Sequence, residues 1–388
     1  MRAAVYRGPN NLKTEVVPIP RIGPHELLVK VAACGVCPTD IKKIQYGTVP
    51  PPRIFGHETA GTVVQVGPRT RGFKIGDRVA LHHHVPCLDC HFCRHRAFAQ
   101  CTQYKRTGIT AGFEPAGGGF AEYVRVMPFV LPGVVKIPTK NSFAEGAMLE
   151  PVNTVLKAVR RLSLLPGDKV LVAGQGPIGL MFTRLLQLEG INVLATDLLD
   201  ARLRLAKRFG AKWTLNISSR RRGDETLTVL PENTGESLSR SRSRGSKTPK
   251  SMQSGPLNQP LVTLSRRTGK GRGEGAFDAA VLAVPSDAAL HQAMQLVRGA
   301  GQVLLFAHTK RGTMTEVDLA SVCVDEKDLI GSYSADFTLQ REVANVVFSR
   351  QLDVRKLITH RFALEQTADA IALASHPTPD SLKILINP

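Results

Sequence analysis

Cys87, Cys90, Cys93 and Cys101 crowd into one short stretch, VPCLDCHFCRHRAFAQC, with the spacing C-x2-C-x2-C-x7-C. Thiols this close in sequence form a disulfide knot, a redox site or a metal site. The first residues, MRAAVYRGPNNLKTEVVPIP, hold no apolar run of a secretion signal, so a cytoplasmic, reducing compartment is expected. In that compartment clustered cysteines are metal ligands more often than disulfides. The total of seven cysteines is also odd, which fits a fully paired framework poorly.

A second set of donors lies upstream. Cys37 falls in CGVCPTD and His57 in FGHET, and thiolate and imidazole both suit zinc. They are 20 residues apart, so the fold has to bring them together. Either of two carboxylates completes a three-ligand set: Glu58, next to His57, or Glu150, in LEPVNT.

A third constellation is GQGPIG, residues 174–179, which follows the apolar run KVLVA and opens the helical pattern PIGLMFTRLLQ. That is the context a dinucleotide-binding turn requires. Gly174 permits the tight turn, Gly176 lets a pyrophosphate approach the backbone, Pro177 and Ile178 start the helix, and Gly179 packs helix on strand. Asp197 ends the next strand, 18 residues after Gly179. A carboxylate there accepts hydrogen bonds from the ribose hydroxyls of NAD and repels the 2′-phosphate of NADP. Arg202 and Arg204 pull the other way, because an arginine can receive that phosphate; Asp197 decides the reading for NAD.

These groups need two kinds of scaffold. Up to about residue 150 the chain is rich in Gly, Pro and short β-branched runs. ELLVKVAAC, TAGTVVQVG, GDRVAL and FAEYVRV read as strands between turns, and the region as a β-rich domain. From there the texture changes. AMLEPVNTVLKAVRRL has helical spacing. KVLVAG, INVLATD, FDAAVLAV and GQVLLFA read as buried strands, alternating with the helices GPIGLMFTRLLQLEG, DARLRLAKRFGA and AALHQAMQLVRGA. That alternation is the signature of an α/β fold with a parallel sheet.

Composition agrees with a globular chain: 43% hydrophobic and 21% charged residues, with no apolar run long enough to span a membrane. The net charge of +19 raises the question of nucleic acid. Residues 218–274 hold twelve Lys/Arg against five Asp/Glu, including SRSRSRGSKTPK, and interrupt the α/β pattern; a disordered basic insertion is expected there. The insertion has no aromatic side chains to stack on bases, and the cysteine lobe has no recognition helix behind it. A catalytically inactive zinc protein holding nucleic acid through this insertion is the reading from another class. The histidine run His82–His84, and His91 and His95 inside the lobe, are read as polar loop residues, and Cys34 and Cys323 as small buried ones.

CGVCPTD, GHE, GDRV, the four-cysteine lobe, GGFAEY, LEP and GQGPIG occur in the order and spacing of zinc-dependent medium-chain dehydrogenases. The chain resembles that family over nearly its whole length apart from about 218–274, and most closely its sorbitol/L-iditol and threonine dehydrogenase branch. The resemblance implies a GroES-like catalytic domain at 1–150, completed by 333–388, and a Rossmann doubly wound NAD-binding domain at 151–332. It implies that Cys37 and His57 are catalytic zinc ligands, with Glu58, Glu150 or water completing the shell. Alcohol dehydrogenases proper place a cysteine where LEPVNT has Glu150, which is the pattern of polyol and threonine enzymes. By the same resemblance Asp40 orients His57, Thr39 passes the substrate proton towards solvent, and Cys87, Cys90, Cys93 and Cys101 hold a structural zinc. The implied activity is reversible hydride transfer between a secondary alcohol or polyol and NAD, with a threonine-type amino alcohol as the alternative substrate. Two zinc ions per chain and a homodimer or homotetramer are implied as well.

Overall fold

The computed structural model describes residues 1–82, 85–103, 117–218, 275–307 and 312–388. The insertion expected at 218–274 therefore lies, but for its first residue, outside the described residues.

KVLVA is a strand, Lys169–Ala173, buried from Val170 onward. An apolar run with no alternation can only sit where both faces are covered, and this strand is central. The sheet order is Trp213–Asn216, Asn192–Asp197, Lys169–Ala173, Phe277–Leu282, Val297–Leu305, Asp328–Gly331. Every neighbouring pair is parallel. The chain winds from the centre to one edge and then crosses to the other side, so the order reverses between Lys169–Ala173 and Phe277–Leu282. The crevice beyond the carboxyl ends of strands at such a reversal is where this architecture binds ligands.

One expected boundary moves. The helix read over AALHQAMQLVRGA stops at Leu296, and VRGA opens the strand Val297–Leu305. Val297 pairs with Phe277, and Ala300 sits at φ 52°. With two glycines in RGAG the helix is cheap to leave, and sheet pairing overrides the helical periodicity.

The β-rich region forms a seven-stranded sheet. Its path is Ile358–Ala363, Lys383–Asn387, Leu27–Gly35, Glu58–Val66, Arg78–Ala80, Val135–Lys136, with Tyr123–Val126 paired to Leu27–Gly35. The last strand of the chain thus lies beside the third, with Leu385 opposite Gly35 and Ile386 opposite Cys34. A hairpin of Arg2–Gly8 and Asn11–Val16, not anticipated from the sequence, joins Arg53–Ile54 in a separate small sheet. Between the large sheets runs the helix Leu149–Val159, buried along most of its length. It shares one apolar core with the helices Pro177–Leu188 and Gln340–Phe348. Asn153 on it donates to the Asp336 carbonyl and to Gln340 Oε1, both at 2.9 Å. No helix among the described residues is long and apolar enough to cross a membrane.

Candidate active site

A cavity of about 980 Å³ opens between the two large sheets. Cys37, His57, Glu58 and Glu150 line one part of it, and Gly174, Gly176 and Asp197 another.

Cys37 follows the strand Leu27–Gly35 and caps the helix Pro38–Tyr46 with extended backbone; its Sγ accepts from the Thr39 amide at 3.5 Å. Asp40, in the first turn of the same helix, is fully buried and takes His57 Nδ1 at 3.2 Å. With Nδ1–H donated to a carboxylate, Nε2 is left as the donor atom for a metal. Burial pulls the imidazole down, but the charges of Asp40 and Cys37 outweigh it and hold His57 well above its usual range.

Glu58 stands opposite Gly35 in the sheet register. A Cβ at Gly35 would lie 1.8 Å from Glu58 Oε2, so only glycine leaves room for this carboxylate. Glu58 Oε1 accepts from Lys383 Nζ at 2.5 Å, and Oε2 lies against the same ammonium. Ligand atoms of Cys37, His57 and Glu58 all fall within 4.8 Å of one another. Sulfur, nitrogen and oxygen from three side chains beside an open cavity fit a catalytic zinc, which keeps its fourth position for substrate. Glu150 lies outside this set. It is buried beside it, and burial pushes its carboxyl up to about 7 against the opposing pull of His57. Thr39 lines the same cavity two residues beyond Cys37.

At the other side Gly174 takes φ +89°, and a Cβ there would meet Val284 Cγ1 at 2.4 Å. A Cβ on Gly179 would meet the Gly174 carbonyl oxygen at 1.8 Å. Gly176 differs: it caps the helix Pro177–Leu188 and has nothing within 4 Å of its Cβ direction, so its open side faces the cavity. A bare backbone at a helix N-terminus is a seat for a pyrophosphate. Pro177 occupies the first turn and Ile178 lines the wall. Asp197 braces the turn: Oδ2 accepts from the Gln175 amide at 2.6 Å and Oδ1 from the Leu199 amide at 3.0 Å. Arg202 lies 4.0 Å from that carboxylate and lines the cavity, whereas Arg204 is exposed.

The four-cysteine lobe stands apart. Its Sγ atoms are 3.9 Å apart for Cys87–Cys93, 3.5 Å for Cys90–Cys93 and 3.6 Å for Cys101–Cys87. Zinc–sulfur bonds of about 2.3 Å in a tetrahedron put sulfurs about 3.8 Å apart, so the four fit around one ion. All seven cysteines are free thiols. Amide donors of Asp89 and Cys90 bring Cys87 down to about 6, while burial pushes Cys93 up to about 12. The lobe's own apolar cluster is little more than Cys93, Cys101, Cys90 and Phe98.

Two readings need correction. His82 is not a polar loop residue but fully buried, and burial brings it down to about 4. Cys323 is exposed at the end of the helix Leu319–Cys323, because that short helix buries none of its residues. Cys34 is buried as read, whereas His83 and His84 lie outside the described residues. The sequence reading missed Lys383, although a lone charge inside the terminal apolar run LKILIN was its signal.

A doubly wound parallel sheet facing a mixed sulfur, nitrogen and oxygen donor set across one cavity is the build of a metal-dependent, nicotinamide-linked dehydrogenase. Comparison with known proteins agrees. Residues 23–139 match the alcohol dehydrogenase GroES-like domain and residues 177–349 the zinc-binding dehydrogenase domain. The chain is similar to sorbitol dehydrogenase of Rattus norvegicus, 30% identical over 390 residues covering 98% of this chain and 94% of the relative. It is also similar to sorbitol dehydrogenase of Bacillus subtilis (strain 168), 27% identical over 394 residues covering 100% and 97%. A zinc-binding dehydrogenase of Sinorhizobium meliloti bound to NADP superposes with a TM-score of 0.80 at 26% identity, over 100% of this chain and 99% of that one. The chain belongs to the zinc-dependent medium-chain dehydrogenase family, in its sorbitol dehydrogenase branch. It is an oxidoreductase of CH–OH donors with a nicotinamide cofactor.

Proposed function

We propose that this chain oxidises a polyol or related secondary alcohol to the ketone or aldehyde, reversibly, at the site formed by Cys37, His57 and Glu58. The observation that carries the reading is Glu150. Where an alcohol dehydrogenase proper has a third soft ligand, this chain has a buried carboxyl beside the donor set. The named relatives are sorbitol dehydrogenases, which supports a polyol.

When bound, zinc supplies a Lewis acid that lowers the pKa of a substrate hydroxyl, and the nicotinamide supplies the hydride acceptor. The chain does the rest. Cys37, His57 and Glu58 hold the metal, and Asp40 fixes the imidazole with Nε2 towards it. Thr39 Oγ1, on the same helix end, takes the hydroxyl proton and hands it towards solvent. Glu150 offers a hydrogen-bonding carboxyl to a second hydroxyl. Gly174, Gly176, Pro177, Ile178 and Gly179 seat the cofactor pyrophosphate. Asp197 favours NAD over NADP, and Arg202 beside it is what tempers that preference.

Four further points belong to this reading. The lobe of Cys87, Cys90, Cys93 and Cys101 holds a second, structural zinc, because four thiolates leave no open position. Residues 1–150 with 333–388 form the catalytic domain and 151–332 the cofactor domain, supported by the return of Lys383–Asn387 to the N-terminal sheet. The chain works as a homodimer or homotetramer in the cytoplasm. The oligomer is supported by the edge strand Asp328–Gly331, next to which Leu305, Leu319, Val324 and Leu329 are exposed.

The test is NADH formation by the metal-analysed protein with sorbitol, xylitol, L-iditol, butanediol, threonine and simple alcohols. Turnover on a polyol with two zinc per chain supports the reading. Preference for threonine moves the substrate to amino alcohols.

A further inference from the structure

Lys383 opens the strand Lys383–Asn387, whose first four residues are all buried. The lysine itself is 6% exposed, and a lysine this deep is found only where its charge is paired. Its Nζ donates to the Val36 carbonyl at 3.0 Å and to Glu58 Oε1 at 2.5 Å, and it lies against Glu58 Oε2. Cys37 and Glu150 are within its electrostatic reach. Both oxygens of one proposed metal ligand therefore face an ammonium. A carboxylate shared between a cation and a lysine gives each less than it would give either alone.

The charges of the pocket point the same way. Asp40, Glu58 and Glu150 are buried acidic side chains gathered beside Cys37, and Lys383 is a buried cation set against that excess. Removing the lysine leaves the occupied site more negative, which binds a cation harder and activates a hydroxyl less.

We infer that Lys383 is a positioning residue that holds the Glu58 carboxylate back from the metal, leaving Glu58 a weak ligand and the ion electrophilic. The inference rests on the proposed metal set of Cys37, His57 and Glu58.

The experiment uses the full chain loaded with cobalt(II), whose visible bands report ligand field, and measures metal release to a chelator. The lobe, with four sulfurs, serves as the internal control. Lys383→Met keeps the apolar stem and removes the charge; Lys383→Arg keeps the charge. For Lys383→Met the cleft cobalt bands shift, and release from the cleft slows by about tenfold, within the range by which partners of metal ligands act. The kcat for the best alcohol falls by about tenfold with KM little changed, as for an interaction strengthened in the transition state. Lys383→Arg restores the release rate and bands. If Lys383→Met fails to fold, Lys383→Gln, which keeps a donor for the Val36 carbonyl, reads the same quantities. A lysine that only ties strands together would loosen the site on removal, so faster or unchanged release overturns the inference. Failure of the underlying reading looks different: the cleft cobalt bands would then survive Cys37→Ser.

Discussion

The four-cysteine lobe and the cleft set each gather donors around a point, and they are built on opposite plans. The lobe uses four identical side chains from 15 consecutive residues, 87–101, braced by backbone amides such as Cys90 N–H to Cys87 Sγ. It has almost no apolar core, and Cys87 is exposed. The cleft set uses three different side chains from two distant places in the chain, Cys37 at the start of a helix and His57 with Glu58 at the head of a strand, and other side chains hold two of its members: Asp40 on His57, Lys383 on Glu58. A closed ring of like donors can hold a loop. A buried, mixed set with an open side can do chemistry, and only the second needs partners that set orientation and charge.

The largest effect expected from breaking this contrast is on turnover. Cys37→Ser in the cleft should lower kcat/KM by about a thousandfold, the scale on which losing a key electrophilic contact acts, with the far-UV spectrum unchanged. Steady-state NADH formation and metal content check it: one metal per chain should remain. Cys90→Ser in the lobe should instead cost stability. The lobe's packing rests on its sulfurs, so the thermal midpoint should fall by several degrees, as a loss of a few kcal/mol implies for a chain of this size. Scanning calorimetry with zinc analysis reads it, and kcat per folded molecule should stay within about threefold.

Smaller effects sharpen the cleft side. Asp40→Asn keeps the shape but not the charge that fixes His57, and zinc affinity should drop by about tenfold or more in a chelator competition. Asp197→Asn keeps the shape and one of the two acceptors that serve the Gln175 and Leu199 amides, while removing the charge facing the cavity. The ratio of kcat/KM for NAD over NADP should fall by about tenfold, mostly through KM. An unchanged ratio would assign Asp197 to bracing the turn alone.

What could be read from the sequence follows the same divide. The lobe and GQGPIG were legible because their geometry is local: ligand spacing along a few residues, and a turn between one strand and one helix. From local pattern Cys37, His57 and Glu150 were legible as donors only; that they meet was implied by the family resemblance and not by spacing, since three separate elements bring them together. Lys383 lies 325 residues from Glu58, and no local pattern joins them. Gly35 looked like one glycine among many until the register set it opposite Glu58. His82 failed for the converse reason: a run of three histidines reads as solvated, yet the strand Arg78–Ala80 carries the first of them straight into the interior.

The central claim is that the mixed set in the cleft, not the lobe, performs polyol oxidation. One measurement meets it directly: NADH formation from the polyol panel by zinc-loaded wild type, Cys37→Ser and Cys90→Ser, each normalised to folded protein. The account predicts turnover on a polyol that Cys37→Ser abolishes and Cys90→Ser leaves within about threefold. Turnover that survives Cys37→Ser and disappears with Cys90→Ser in folded protein would contradict it.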